Sequence, residues 1–160
     1  MAHLSDLRMR YRALIRGYRF SKVDWRPGAV LSKPLSTTRL ALITSAGLYL
    51  PGQTPFAHTI RYNDCSYREI PWGTPVATLQ IGQTSDAFDH SGIESDRNLA
   101  LPLDRLRELV ELGLIGAAAP RHFSIIGSLL ATAGLIQESG PEIAAKLRED
   151  AVDAVLLVPV

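Results

Sequence analysis

The side chains best suited to move a proton or attack carbon are four histidines, His3, His58, His90 and His122, and one cysteine, Cys65. An imidazole titrates near neutrality and can hand a proton to a departing amine as a general acid. None of the four makes a recognisable metal-ligand pair with a close neighbour in sequence. Asp86, Asp89, His90, Glu94 and Asp96 offer oxygen ligands to a hard cation. They lack the order and glycine placement of a calcium loop, so they read as a solvated polar loop and no metal is expected. Cys65 lies in Asn63-Asp64-Cys65-Ser66-Tyr67-Arg68. Arg61 and Arg68 would favour a thiolate there, while Asp64 and Glu69 would repel one. A lone cysteine is more often a small apolar filler. There is no dinucleotide fingerprint, no phosphate loop with lysine and no Gly-x-Ser-x-Gly.

Such residues need elements to hold them. Arg39-Leu40-Ala41-Leu42-Ile43-Thr44 reads as a buried strand between turn formers. It runs into Ser45-Ala46-Gly47, small residues at a carboxyl strand end, where open α/β sheets bind ligands. Residues 21–38 should be irregular, and residues 50–75, with four prolines, should form a long loop with short extended pieces. Residues 76–81 are expected as a second strand and residues 115–119 as a short one ending at Pro120-Arg121-His122. Leu103, Leu106, Leu109, Val110 and Leu112 mark a helix, with Pro102 at its first turn and Gly113 at its end. Arg107 and Glu111 are placed to pair on its exposed side.

Ser139-Gly140-Pro141-Glu142 has capping-box spacing before a helix that buries Ile143, Ala144 and Leu147. Ala154-Val155-Leu156-Leu157-Val158 then reads as a strand buried on both faces. A helix feeding such a strand is half of a crossover unit. The expected fold is therefore α/β: an open, at least partly parallel sheet flanked by helices and incomplete at the C-terminus. The domain expectation is a single domain over residues 1–160, with residues 1–20 an amphipathic helical arm carrying Leu4, Leu7, Tyr11, Leu14, Ile15 and Tyr18 at helical spacing.

Composition narrows the function classes. The formal net charge is +1, which gives no reason to expect nucleic acid as a partner. Seven of the 17 Lys and Arg residues lie in the first 26 positions. They read as the solvated face of a docked helix, or as a subunit-docking helix, before they read as a nucleic-acid arm. A single cysteine forms no internal disulfide. No apolar leader core and no run of about 18 apolar residues occurs, so no membrane partner is expected and the location is cytoplasmic.

Longer strings carry a family signal. Phe20-Ser21-Lys22-Val23-Asp24-Trp25, Ser66-Tyr67-Arg68-Glu69-Ile70-Pro71, Pro102-Leu103-Asp104-Arg105-Leu106-Arg107-Glu108-Leu109 and Pro120-Arg121-His122-Phe123-Ser124 occur in that order. Ser139-Gly140-Pro141-Glu142-Ile143-Ala144 and Asp153-Ala154-Val155-Leu156-Leu157 follow. Together they resemble the selenoprotein B family of glycine, sarcosine and betaine reductases and D-proline reductase, from about residue 20 onward. The resemblance implies an oxidoreductase subunit that reductively cleaves a C–N bond of a small amine or amino acid. In that family a selenocysteine, or a cysteine in non-selenium relatives, attacks a substrate held on a pyruvoyl group of a partner subunit.

The resemblance places the reactive residue just past a strand matching residues 153–160, so Cys65 does not inherit the role. The chain is expected to be the amino-terminal portion of a longer one and inactive alone. A selenocysteine UGA codon read as a stop would account for this; a cloned fragment and a natural short form are the other accounts. The pyruvoyl-bearing subunit is the implied partner in a hetero-oligomer, and this chain itself holds no cofactor. Candidate pocket residues are Thr44, Ser45, His90, Asn98 and His122, with a histidine as proton donor to the departing amine. The alternative is a non-catalytic small-molecule-binding or assembly protein on the same scaffold.

Overall fold

The computed structural model describes residues 9–17, 29–57, 64–83, 90–127, 129 and 131–160. The chain divides into two compact units, Met1–Val30 and Leu31–Val160. Within the first, Met9–Gly17 is helical (α1). The rest of the helix expected from residue 4 to 18, with Leu4, Leu7 and Tyr18 of its stripe, lies outside the described residues.

The second unit is built on a mixed sheet. Its centre is β1, Arg39–Thr44, the strand whose apolar run the sequence announced. Hydrogen-bond parity along β1 places its neighbours. The carbonyls of Thr38 and Leu40 accept from Ala117 and Ala119, whereas the carbonyl of Arg39 accepts from Asp153 and the N–H of Ser45 donates to Val158. Alternate residues of a strand point their backbone groups to opposite sides. Ala117–Ala118 (β5) and Arg121–Ile125 (β6) therefore line one side of β1, and Ala154–Val158 (β7) lines the other. All three run parallel to β1. Tyr67–Pro71 (β3) closes the far side by pairing antiparallel with β6, so the sheet reads β3-β6-β1-β7. A two-stranded antiparallel ribbon, Leu48–Tyr49 (β2) with Gln80–Ile81 (β4), stands apart from it.

Register assigns the two faces. Leu42, Ile70, His122, Ser124 and Thr44 share one face, covered by residues 76–83 and 90–115. This layer holds the short helix α2, Ser91–Ser95, and α3, Leu103–Glu111. Leu103 and Leu106 of α3 are buried, with Val110 packed beside them, the i, i+3, i+7 stripe of a helix docked on one side. Gly113 adopts φ +69° just past α3, a left-handed turn that glycine takes without steric cost. The opposite face carries Phe123 and Tyr67, in edge-to-face contact at 5.8 Å between ring centres. Helix α4, Gly140–Glu149, is tied to that face through Lys146 and Glu149, which pair with Glu69 and Arg121.

The structure departs from expectation in several places. Residues 76–81 are not one strand: Val76–Thr78 forms a 3-10 turn and only Gln80–Ile81 pairs as a strand, because Pro75 starts a turn closed by Thr78 N–H on its carbonyl. In the loop with short extended pieces expected over residues 50–75, one extended piece is the paired strand β3. Ser139 is no capping residue: π-helical Leu135–Ser139 leads directly into α4, and the Ser139 hydroxyl donates instead to the Cys65 carbonyl at 2.5 Å. Arg107 does not pair with Glu111. It turns inward to Asp104 and to the carbonyls of Trp72 and Thr74, where buried carbonyls need a donor. Finally β7, expected to be buried on both faces, has Leu156 46% and Leu157 66% exposed. It lies at the margin of the sheet while α4, the helix before it, leans over β3 and β6.

Candidate functional site

The chain passes from β1 to β6 on one side and then crosses to β7 on the other. The connection direction reverses between β1 and β7, which makes this the switch point of the sheet. In open α/β sheets the crevice outside the carboxyl ends of such strands is the ligand-binding position. Here that end of the sheet carries Thr44 and Ser45 at the end of β1, Gly127 after β6, and Val158 to Val160 at the end of β7.

Ser45 knits this edge together. Its N–H donates to the Val158 carbonyl at 3.2 Å, and its own carbonyl accepts from Gly127 N–H at 2.8 Å. Its hydroxyl accepts from Val160 N–H at 2.9 Å and donates to the Val160 carbonyl at 3.2 Å. Thr44, 1% exposed, turns its Oγ1 to accept from the Ala46 N–H. Gly47 (φ +65°) and Gly82 meet backbone to backbone beside them: a Cβ on Gly82 would lie 2.5 Å from the Gly47 carbonyl oxygen. Gln83, also buried, extends its amide to this edge. Gly82, Gln83 and Gly127 were not legible as edge residues, since nothing in the sequence shows that residues so far apart meet.

His122 sits below the edge rather than in it. Pro120 interrupts the strand between β5 and β6, and its carbonyl accepts from Trp72 N–H. The Leu42 N–H of β1 is thereby left without a backbone acceptor and donates to His122 Nδ1 at 3.0 Å. His122 is fully buried, with the Trp72 ring tilted against it at 5.6 Å between ring centres. Burial pushes its pKa down to about 4, helped by the Arg107 charge, so it is a neutral imidazole at physiological pH. Its Nε2 and the Ser124 hydroxyl, two residues along on the same face, are buried without a hydrogen-bond partner among the described residues.

Asn98 belongs to a different cluster. Its Nδ2 donates to Asp96 and Asp104 at 3.0 and 2.9 Å, and its Oδ1 accepts from Asp104 N–H at 3.1 Å. It thus caps the first turn of α3, and Asp96, itself accepting from the Asn98 backbone N–H, has its pKa lowered. His90, half-buried, opens α2, and its carbonyl accepts from Glu94 N–H. Of the five sequence candidates, then, Thr44 and Ser45 are neighbours at the carboxyl end of β1, with Thr44 buried; His122 lies further down the sheet, and His90 and Asn98 flank α2 and α3.

Cys65 lies against Gly134, where an added Cβ would come within 3.3 Å of the sulfur, and its Sγ faces the Ala131 carbonyl at 3.7 Å. Among the described residues no group of three His, Cys, Asp or Glu side chains could hold a metal ion. Asp86 and Asp89 of the proposed cation loop lie outside the described residues. A surface pocket of about 410 Å³ opens at the other end of the strands, lined by Lys33, Arg39, Gly116 and Asp153. There Asp153 holds Lys33 at 2.6 Å and accepts from the Arg39 N–H.

Comparison with known proteins settles the family. The sequence pattern of glycine/sarcosine/betaine reductase selenoprotein B matches residues 16–160. The chain belongs to the selenoprotein B family. It is 32% identical over 133 residues to the D-proline reductase subunit gamma of Acetoanaerobium sticklandii, covering 83% of this chain and 52% of that one. It is 27% identical over 141 residues to the sarcosine reductase complex component B subunit beta of Peptoclostridium acidaminophilum, covering 86% of this chain and 31% of that one. The chain thus spans about half the length of the first of these relatives and about a third of the second. No solved structure matches it significantly. The mixed, open sheet with helices on both faces agrees with the fold class expected from the sequence, and no described helix is long and apolar enough to cross a membrane.

Proposed function

We propose that this chain is the scaffold portion of a reductase subunit that cleaves a C–N bond of a small amino acid or amine. In this reading the reacting selenocysteine or cysteine follows β7. The observation that carries the reading is the arrangement of the carboxyl edge: β7 delivers the backbone to the switch point, and Ser45 holds it there by both polar groups of Val160. A selenol or thiol placed there would be the attacking nucleophile, ionised at or near neutral pH. The substrate would be held on the pyruvoyl group of a partner subunit, in a cytoplasmic hetero-oligomer.

The described residues fit the positioning part of this chemistry. Thr44, Ser45 and Gly127 form a rigid, close-packed edge that fixes a backbone. His90 is the candidate to return a proton to the departing amine, while His122 and Asn98 shape the layer beneath. The chain's own contribution is to orient the reacting group and to exclude water around it with the apolar layer of Leu48, Leu79 and Leu101.

A specific observation supports the alternative as well. Asn98 is fully engaged in capping α3, and His122 is held neutral in the sheet, an arrangement that suits a scaffold docking a partner without turnover. The two readings separate on one assay. The chain in its native host complex is isolated through an affinity tag and supplied with a dithiol and D-proline, sarcosine, glycine or betaine. Release of the ring-opened or amine product supports the reductase. A complex that assembles and cleaves none of them supports the docking protein.

A further inference from the structure

The ladder between β1 and β7 ends at Val158, whose carbonyl accepts from Ser45 N–H; the Ser45 carbonyl, the next acceptor in register, is taken by Gly127 N–H. Past that point the chain has lost its ladder partner, yet Val160 is not loose. Its N–H and carbonyl both bond the single hydroxyl of Ser45, at 2.9 and 3.2 Å, and its side chain packs against the core cluster. The main-chain groups of Ser45 are engaged as well, by Val158 on one side and Gly127 on the other. Gly127 adds a steric requirement: a Cβ there would lie 3.2 Å from the Ser45 carbonyl oxygen and 3.3 Å from that of Val160. One side chain thus replaces the missing ladder and holds Val160 at the carboxyl end of β1.

We propose that Ser45 is the positioning residue of the switch-point crevice, clasping the backbone that leaves β7 so that the reacting side chain carried there is presented in one place. The proposal rests on the functional reading above, which puts that side chain just after β7. Ser45 takes no part in bond making or breaking. It acts through the backbone of Val160.

Two readouts test this, the first independent of any activity. Amide exchange is followed by NMR in the chain itself, in Ser45→Ala and in Ser45→Thr. Losing one hydrogen bond of ordinary strength should speed exchange at Val160 by up to about tenfold in Ser45→Ala. Ser45→Thr, which keeps the hydroxyl, should restore protection, and Leu42, bonded to His122, should stay unchanged in both. Unchanged exchange at Val160, or an equal rise at Leu42, would overturn the clasp. In the assembled complex Ser45→Ala should lower kcat about tenfold with KM unchanged, and Ser45→Thr should recover it. A wild-type kcat alongside a loosened Val160 would overturn the positioning role. If the wild-type complex itself turns nothing over, the functional reading fails, and the positioning role with it, while the exchange data still report on the clasp.

Discussion

β6 and β7 flank the same central strand, run in the same direction and are each five residues long. β6, Arg-His-Phe-Ser-Ile, buries its three middle residues completely, although two of them are polar. β7, Ala-Val-Leu-Leu-Val, is wholly apolar and leaves its three middle residues exposed. Cover explains the reversal. β6 has β3 beyond it, α3 beneath one face and α4 over the other, with Arg121 bound to Glu69, Glu149 and Asp150 at its entrance. β7 has β1 on one side, and no described strand pairs with its other side. Burial is set by where a strand lies in the layers, and apolarity records only what the strand is fit for. Left uncovered, a strand such as β7 is expected to make the 160-residue chain self-associate.

Four experiments break or sharpen this contrast. Phe123→Ala in β6 should cost about 3–5 kcal/mol in urea unfolding, the cost of emptying a well-packed aromatic site. A loss under 1 kcal/mol would mean that β6 is not core. Next in size is the pH dependence from His122. Its folded pKa, near 4, lies below the ordinary 6.5, so the unfolded chain binds more protons between those values. Stability is full above pH 6.5 and falls as pH drops towards 4, by about 3 kcal/mol at 1.36 kcal/mol per pKa unit. His122→Leu should flatten that slope while lowering stability at pH 7, since Leu42 N–H loses its acceptor. A slope unchanged in the variant would assign it to another group.

Asn98→Ala should cost about 1 kcal/mol by uncapping α3; no change would show that Asp96 and Asp104 suffice there. The smallest effect belongs to β7. Leu157→Lys should leave the unfolding free energy in urea within about 0.5 kcal/mol of wild type yet reduce self-association, measured by light scattering at rising concentration. A wild-type chain that stays monomeric and unfolds cooperatively would remove the open edge from the account.

The same contrast marks what was legible. β1, α3 and β7 announced themselves through apolar runs, helical spacing and the Pro102 and Gly113 punctuation. β3 and β6 did not, because their charges are balanced by tertiary partners: Glu69 meets Lys146 and Arg121 across the fold, and a strand of charged residues looks like a loop until those partners are known. Arg107 was misplaced for a similar reason, its acceptors being carbonyls 33 and 35 residues away. At the candidate site, Thr44 and Ser45 were visible as small polar residues at a strand end. The partner of Ser45 was not, since Val160 lies 115 residues further on.

The central claim is that the reacting residue follows β7 across the Ser45 edge, and reading the coding DNA past the Val160 codon tests it most directly. The account predicts a UGA or cysteine codon close behind, followed by an open frame with further helix and strand patterns. A UAA or UAG codon with no matching frame downstream would contradict it and leave a docking scaffold without a nucleophile.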